Sequence, residues 1–178
     1  MKTEMERRRK AKGKKTSGTE GKKTAGFSLI ELLIVVAIIL IIAAIAIPNL
    51  IKSKMAANES SAVGSMRTIN TGEVNYAASC PNVGYSATLL ELNAGTVCAG
   101  GKGIIDNVLG AAAPKKSGYT FGYTPVAGGD GLNDTYTTIA TPATIGTTGQ
   151  RQFFSDQTGV IRYALSGGGV GNASSALQ

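Results

Sequence analysis

Residues 27–47 are the most apolar stretch of the chain: fifteen of the 21 are Phe, Leu, Ile or Val. As a helix rising about 1.5 Å per residue this stretch spans roughly 30 Å, the thickness of a bilayer core. Residues 32–47 are apolar on every face, and a chain of 178 residues could hardly surround such a helix. One acid, Glu31, interrupts the run near its start. A central charge costs roughly 3 kcal/mol on insertion, while each large apolar residue returns up to about 0.3–0.6 kcal/mol, so insertion wins. A cleavable secretory signal competes with this reading, because Ala44-Ile45-Ala46 fits a small-x-small cleavage site. Against it stand a core longer than the usual stretch of about 7–15 residues, the acid within it, and Pro48 close after that cut.

Pro48 lacks an amide proton and crowds the preceding turn, which predicts a kink or a local interruption of the helix. Helix then resumes. Ile51, Met55, Ala62, Met66, Ile69 and Tyr76 recur at steps of 3, 4 or 7 and form one apolar stripe, with Lys, Asn, Glu and Ser opposite. Gly64 and Gly72 each weaken this helix by about 1 kcal/mol, and Pro81 predicts its end before Cys80. Beyond Cys80 the chain becomes rich in Gly, Ser, Thr and Asn. Residues 118–125, 135–141, 151–156 and 159–165 read as strands, with Asp156-Gln157-Thr158-Gly159 as a hairpin turn. Residues 85–95 and 104–112 read as short helices. The pattern predicts an α+β fold, in which a long amino-terminal helix packs on a small antiparallel sheet of three or four strands.

Charge narrows the function. The net +7 resides wholly in residues 1–26, which hold ten Lys or Arg and three Glu; the remaining eight basic and eight acidic residues cancel. Those first 26 residues lack aromatics and hydrophobic periodicity, so they read as a solvated tail that keeps its end in the cytoplasm, and no nucleic-acid partner is expected. The chain has no histidine and two cysteines, Cys80 and Cys98, beyond the apolar segment. An exported pair can oxidise; the other reading is two small buried hydrophobes that never meet. A bridge closing a loop of about 19 residues would contribute about 3 kcal/mol in the chain-entropy model. No nucleophile–base pair, metal motif or cofactor site emerges, and no enzyme activity is expected. Gly167–Gly171, GGGVG, reads as a flexible tail rather than a dinucleotide loop. Asp130, Asn133 and Asp134 lie close together in GGDGLND, but match no calcium motif and read first as a polar turn.

The stretch GFSLIELLIVVAIILIIAAIAIPNL, residues 26–50, resembles the amino-terminal segment of type IV pilins and of the related type II secretion pseudopilins. The resemblance implies a basic leader, residues 1–26, that a membrane prepilin peptidase removes after Gly26. It implies methylation of the new terminal Phe27, a filament-core helix over 27–47 that bends at Pro48, an amphipathic continuation over 48–79, and a small β-rich head over 80–178. Glu31 would pair with the Phe27 ammonium of a neighbouring subunit, setting register rather than adding much net stability; the other readings are that it lies near the headgroups, where a charge costs little, or pairs within its own chain. The partners so implied are further copies of the chain in a helical homopolymer, the peptidase, and the pilus assembly platform with its ATPase. The precursor would cross the inner membrane once, amino terminus inside, and the assembled subunit would lie on the cell surface. The resemblance brings a calcium-binding loop of some pseudopilins into view at Asp130–Asp134. The rivals to a pilus subunit are a secretion pseudopilin and, more distantly, a membrane-anchored exported enzyme or binding protein.

Overall fold

The structure, a computed structural model, describes residues 26–94 and 103–177. The chain divides into two compact units, Met1–Ile42 and Ala43–Gln178. Helix α1 spans Leu29–Ser79, and helical structure runs unbroken through Pro48. The expected local interruption is therefore not observed: the amide lost at proline is one hydrogen bond in a helix of 51 residues, and the turns on either side are retained. The carboxyl end falls where the sequence placed it, with the Cys80 amide closing the last turn on the Tyr76 carbonyl at 2.9 Å.

In the second unit α1 buries Met55, Ala62, Met66, Ile69 and Tyr76, so five of the six stripe residues face the core. Ile51, 42% exposed, does not. The sequence pattern also misassigned part of the polar face: Glu59, Ser65, Asn70 and Glu73 are buried on α1. Gly72 explains itself by contact, because a Cβ there would stand 3.2 Å from the Ile105 side chain and 3.4 Å from that of Ile104. Gly64 has open space around it.

The sheet has six strands in sequential antiparallel order: β1 (Lys115–Lys116), β2 (Tyr119–Ala127), β3 (Asn133–Pro142), β4 (Arg151–Asp156), β5 (Arg162–Leu165) and β6 (Ser175–Ala176). The four strands expected from the sequence are β2 to β5. The two it missed are two-residue edges, too short to carry an alternating pattern. Alternation does show in β2, where Tyr119 and Phe121 point into the core together with Ala140 of β3 and Phe153 of β4. The turn between β4 and β5 forms as expected: the Asp156 carboxylate accepts from the Thr158 amide and hydroxyl, and Gly159 takes φ +73°. Gly167–Gly171 does not run off as a free tail. It belongs to the turn that returns the chain to β6, where the Leu177 amide reaches the Ile161 carbonyl.

Between α1 and β1 the chain forms α2 (Leu89–Ala94), the expected first short helix. The second, over 104–112, is absent: this segment is turns. Asp106 takes the amides of Val108 and Leu109 at 2.9 Å each on its own carboxylate, offering the backbone an alternative to helix. Gly84 is fixed by close approach. It adopts φ +79°, and a Cβ there would collide with the Asn133 carbonyl oxygen, because the Val83–Tyr85 backbone lies along the start of β3.

Candidate functional site

The first unit presents the amino-terminal segment by itself. Gly26, Phe27 and Ser28 precede the helix, which starts at Leu29. The Ser28 amide donates to Glu31 Oε2 at 2.9 Å, and the Leu32 amide donates to the Ser28 carbonyl at 3.2 Å. Ser28 is thus the cap residue and Glu31 the third helical residue reaching back to it, one half of a capping box. A carboxylate in the first turn also faces the positive end of the helix dipole. Of the alternatives open for Glu31, pairing within its own chain is the one present here, and Ser28-x-x-Glu31 ahead of the apolar run is the signal that names the partner.

From Leu32 to Ile47 the helix carries no polar side chain. Its large side chains are exposed, from Leu32 at 58% through Ile39 at 57% to Ile47 at 57%. An 18-residue window within α1 reaches a mean hydropathy of 3.3 with no residue buried, long and apolar enough to cross a membrane. Among the described residues Gly26 has no atom within 4 Å of where a Cβ would stand, so any need for glycine there does not come from their packing.

Polar side chains fasten α1 to the sheet in the second unit. Glu59, 7% exposed, accepts from the Gln150 amide at 2.8 Å, the Arg151 amide at 3.2 Å and Arg151 Nε at 2.7 Å. Arg151 in turn stands 5.4 Å from the Tyr163 ring centroid and 5.9 Å from that of Phe153. Asn70 donates to Ser155 Oγ at 2.8 Å and accepts from the Tyr136 hydroxyl at 3.1 Å. Glu73 takes both the amide and the hydroxyl of Ser86, and burial pushes its carboxyl above the ordinary glutamate range. Burial likewise raises the Tyr119, Tyr123 and Tyr136 phenols. A notch of about 430 Å³ opens between the Ala87–Leu90 segment, Ala111–Pro114 and Phe121–Tyr123; it is lined mainly by apolar groups.

Two of the three residues considered for metal binding hydrogen-bond to backbone groups. Asp130 accepts from the Leu132 amide at 3.0 Å within the β2–β3 turn. Asn133 donates to the Tyr85 carbonyl at 2.9 Å, and the Asp134 carboxylate packs against Gly128. Among the described residues no three His, Cys, Asp or Glu side chains gather as a metal site. Cys80 is buried at the end of α1; Cys98, its expected partner, lies outside the described residues, as does the leader over 1–25.

Comparison with known proteins bears on the amino-terminal segment. Residues 21–47 match the family model of the prokaryotic N-terminal methylation motif. The chain is 46% identical over 54 residues to the type IV major pilin protein PilA of Myxococcus xanthus (strain DK1622), a match covering 30% of this chain and 24% of that protein. The chain therefore spans about a quarter of the length of this relative. No solved structure matches. The chain thus carries the methylation motif over residues 21–47 and is similar, over 54 residues, to a type IV major pilin.

Proposed function

We propose that this chain is a prepilin, cut between Gly26 and Phe27, methylated at Phe27 and polymerised into a type IV pilus through its apolar helix. The observation that carries the reading is α1 itself, whose first half holds the methylation motif and exposes a continuous apolar surface to which the first unit offers no cover. Such a surface has two uses, in lipid before assembly and against other copies afterwards. A helix that packs on copies of itself by heterologous, non-closing contacts gives a filament rather than a closed oligomer. The peptidase, the assembly platform and its ATPase follow as partners. The inner membrane is the precursor's location, and the cell surface that of the filament. A type II secretion pseudopilin would share the motif; the relative named above is a major pilin, which favours the pilus.

Within this reading Glu31 exchanges partners. In the chain as it stands the carboxylate is held by the Ser28 amide. In the filament it accepts the Phe27 ammonium of a neighbour, and any register that leaves it alone in an apolar core is penalised. Cys80 and Cys98 form a disulfide that reinforces a head with a thin core. Processing is tested with Gly26→Leu, a substitution for which this chain has room. The variant is expected to accumulate at precursor mass while the unmodified chain loses residues 1–26. A mature terminus at Ile47 in the unmodified chain would overturn the assignment in favour of the small-x-small site.

A further inference from the structure

Two carboxylates hold consecutive amides at the start of the segment that leads into α2. Glu73 Oε2 accepts from the Ser86 amide at 3.0 Å, and Glu91 Oε2 accepts from the Ala87 amide at 2.9 Å. Glu73 is fully buried on α1. Among the described residues the ion pairs are Lys116–Asp106 and Arg151–Glu59, so neither Glu73 nor Glu91 has a cation against it. Among the described residues the titratable groups that face Glu73 are Tyr76 of α1, Glu91 of α2, Tyr123 of β2 and Tyr136 of β3; none of these carries positive charge. A buried carboxylate with a second acid nearby and no cation is a costly place for a negative charge.

The hydroxyl groups beside it form a chain with room for one more proton. Ser86 Oγ stands 2.6 Å from Glu73 Oε1 and 3.3 Å from the Tyr123 oxygen, and the Tyr123 hydroxyl donates to the Ser86 carbonyl at 2.9 Å. Ser86 has one hydroxyl proton and two neighbours within reach of it. If Glu73 is ionised, that proton goes to the carboxylate and the Tyr123 oxygen receives none from Ser86. If Glu73 is neutral, Oε1–H donates to Ser86 Oγ, Ser86 Oγ–H donates to Tyr123, and Tyr123 donates to the Ser86 carbonyl. Each hydroxyl in the chain then both donates and accepts.

We propose that Glu73 is a buried proton-binding site, and that loss of its proton is a pH-sensitive release for the Gly84–Glu91 segment, whose Ala87–Leu90 stretch walls the notch beside β2. Burial, with a smaller contribution from Glu91, favours the neutral acid in the folded head and outweighs the Ser86 hydrogen bonds, which favour the carboxylate. Because the folded protein binds this proton more tightly than the unfolded chain, its stabilising effect is complete at acid pH. It is lost as pH rises through the folded-state midpoint. Ionisation keeps the Ser86 donors on the carboxylate but sets a buried negative charge beside Glu91, and that cost destabilises the packing of the segment on α1. The inference is independent of how the filament assembles.

The test uses the full chain in detergent micelles, with the side-chain carboxyl carbons of glutamate followed by NMR as pH is varied. Glu73 is expected to titrate distinctly above the exposed glutamates, and Glu91→Gln to move its midpoint toward acid by removing the nearby charge. In urea unfolding, the wild-type midpoint falls as pH rises above the ordinary glutamate range, while Glu73→Gln, which keeps the shape and the donor to Ser86, flattens that fall. A Glu73 carboxyl that titrates with the exposed glutamates would overturn the proposal. So would a Glu73→Gln chain that keeps the full pH dependence. Since the titration is read on the unmodified chain, the test stands even if a variant fails to fold.

Discussion

Glu31→Gln and Glu31→Ala separate the capping bond of one carboxylate from the intersubunit pairing proposed for it. Glutamine at the third helical position still reaches back to the Ser28 amide, so the capping bond of 2.9 Å is kept while the charge is lost. Alanine loses both. A cap is worth about 1 kcal/mol, and its loss frays the first turn at Leu29–Leu32 without touching the apolar run that follows. Membrane insertion does not suffer in either variant. The fifteen large apolar residues of 27–47 contribute about 5–9 kcal/mol together, against roughly 3 kcal/mol for the acid, so its removal only widens the margin. Assembly is different. A neighbour's buried ammonium that loses its partner costs about 3–5 kcal/mol, more than a hundredfold in an association constant, and this loss is common to both substitutions. Each variant is expressed as sole subunit, recovered as cut protein from the membrane fraction, and scored for surface filaments by electron microscopy. Pairing predicts that both variants insert normally and that both lose filaments. Normal filaments from Glu31→Gln with loss from Glu31→Ala would show that the cap alone is needed, and would refute the intersubunit pairing.

Three further outcomes follow from the second unit. Glu59→Ala removes the acceptor of two backbone amides and of Arg151, and is expected to cost about 3 kcal/mol by urea unfolding in micelles; Arg151→Ala, which leaves both amides satisfied, costs less. Gly84→Ala places a Cβ against the Asn133 carbonyl at a left-handed position and is expected to lower stability by at least about 2 kcal/mol, where Gly64→Ala, with open space on a helix, raises it by about 0.5–1 kcal/mol. Thiol labelling of the native chain is expected to find neither cysteine reactive until reductant is added; two thiols labelled without reductant would remove the bridge.

The sequence disclosed those parts of the molecule whose hydrophobic period is long enough to read. The stripe Met55–Tyr76 carries it at helical spacing, and β2 and β3 carry it in alternation through Tyr119 and Phe121 and through Tyr136, Thr138 and Ala140, while β4 and β5 were legible only as short runs bounded by turn residues. What escaped is polar and buried. Glu59, Asn70 and Glu73 sit on the core side of α1 because partners 13 to 92 residues away, Ser86, Gln150, Arg151 and Ser155 among them, satisfy them there. Amphipathic periodicity sends every acid to solvent, and only the folded chain shows which acids find donors. The Asp106 turn failed as a helix for a related reason, since a single side chain outbid the helical bonds of its neighbours. At the amino-terminal segment the methylation motif matched over residues 21–47 was legible in the run that begins at Gly26 and Phe27. The capping role of Glu31 was legible too, in Ser28, once the acid is read together with the residue three places before it.

The claim that this chain is a processed filament subunit is tested most directly by mass spectrometry of filaments sheared from the cell surface. The account predicts that this chain is present in them, that its amino-terminal peptide begins at Phe27, and that the peptide carries the added mass of one methyl group. Filaments that lack the chain, or a chain that retains residues 1–26 or begins at Ile47, would contradict it.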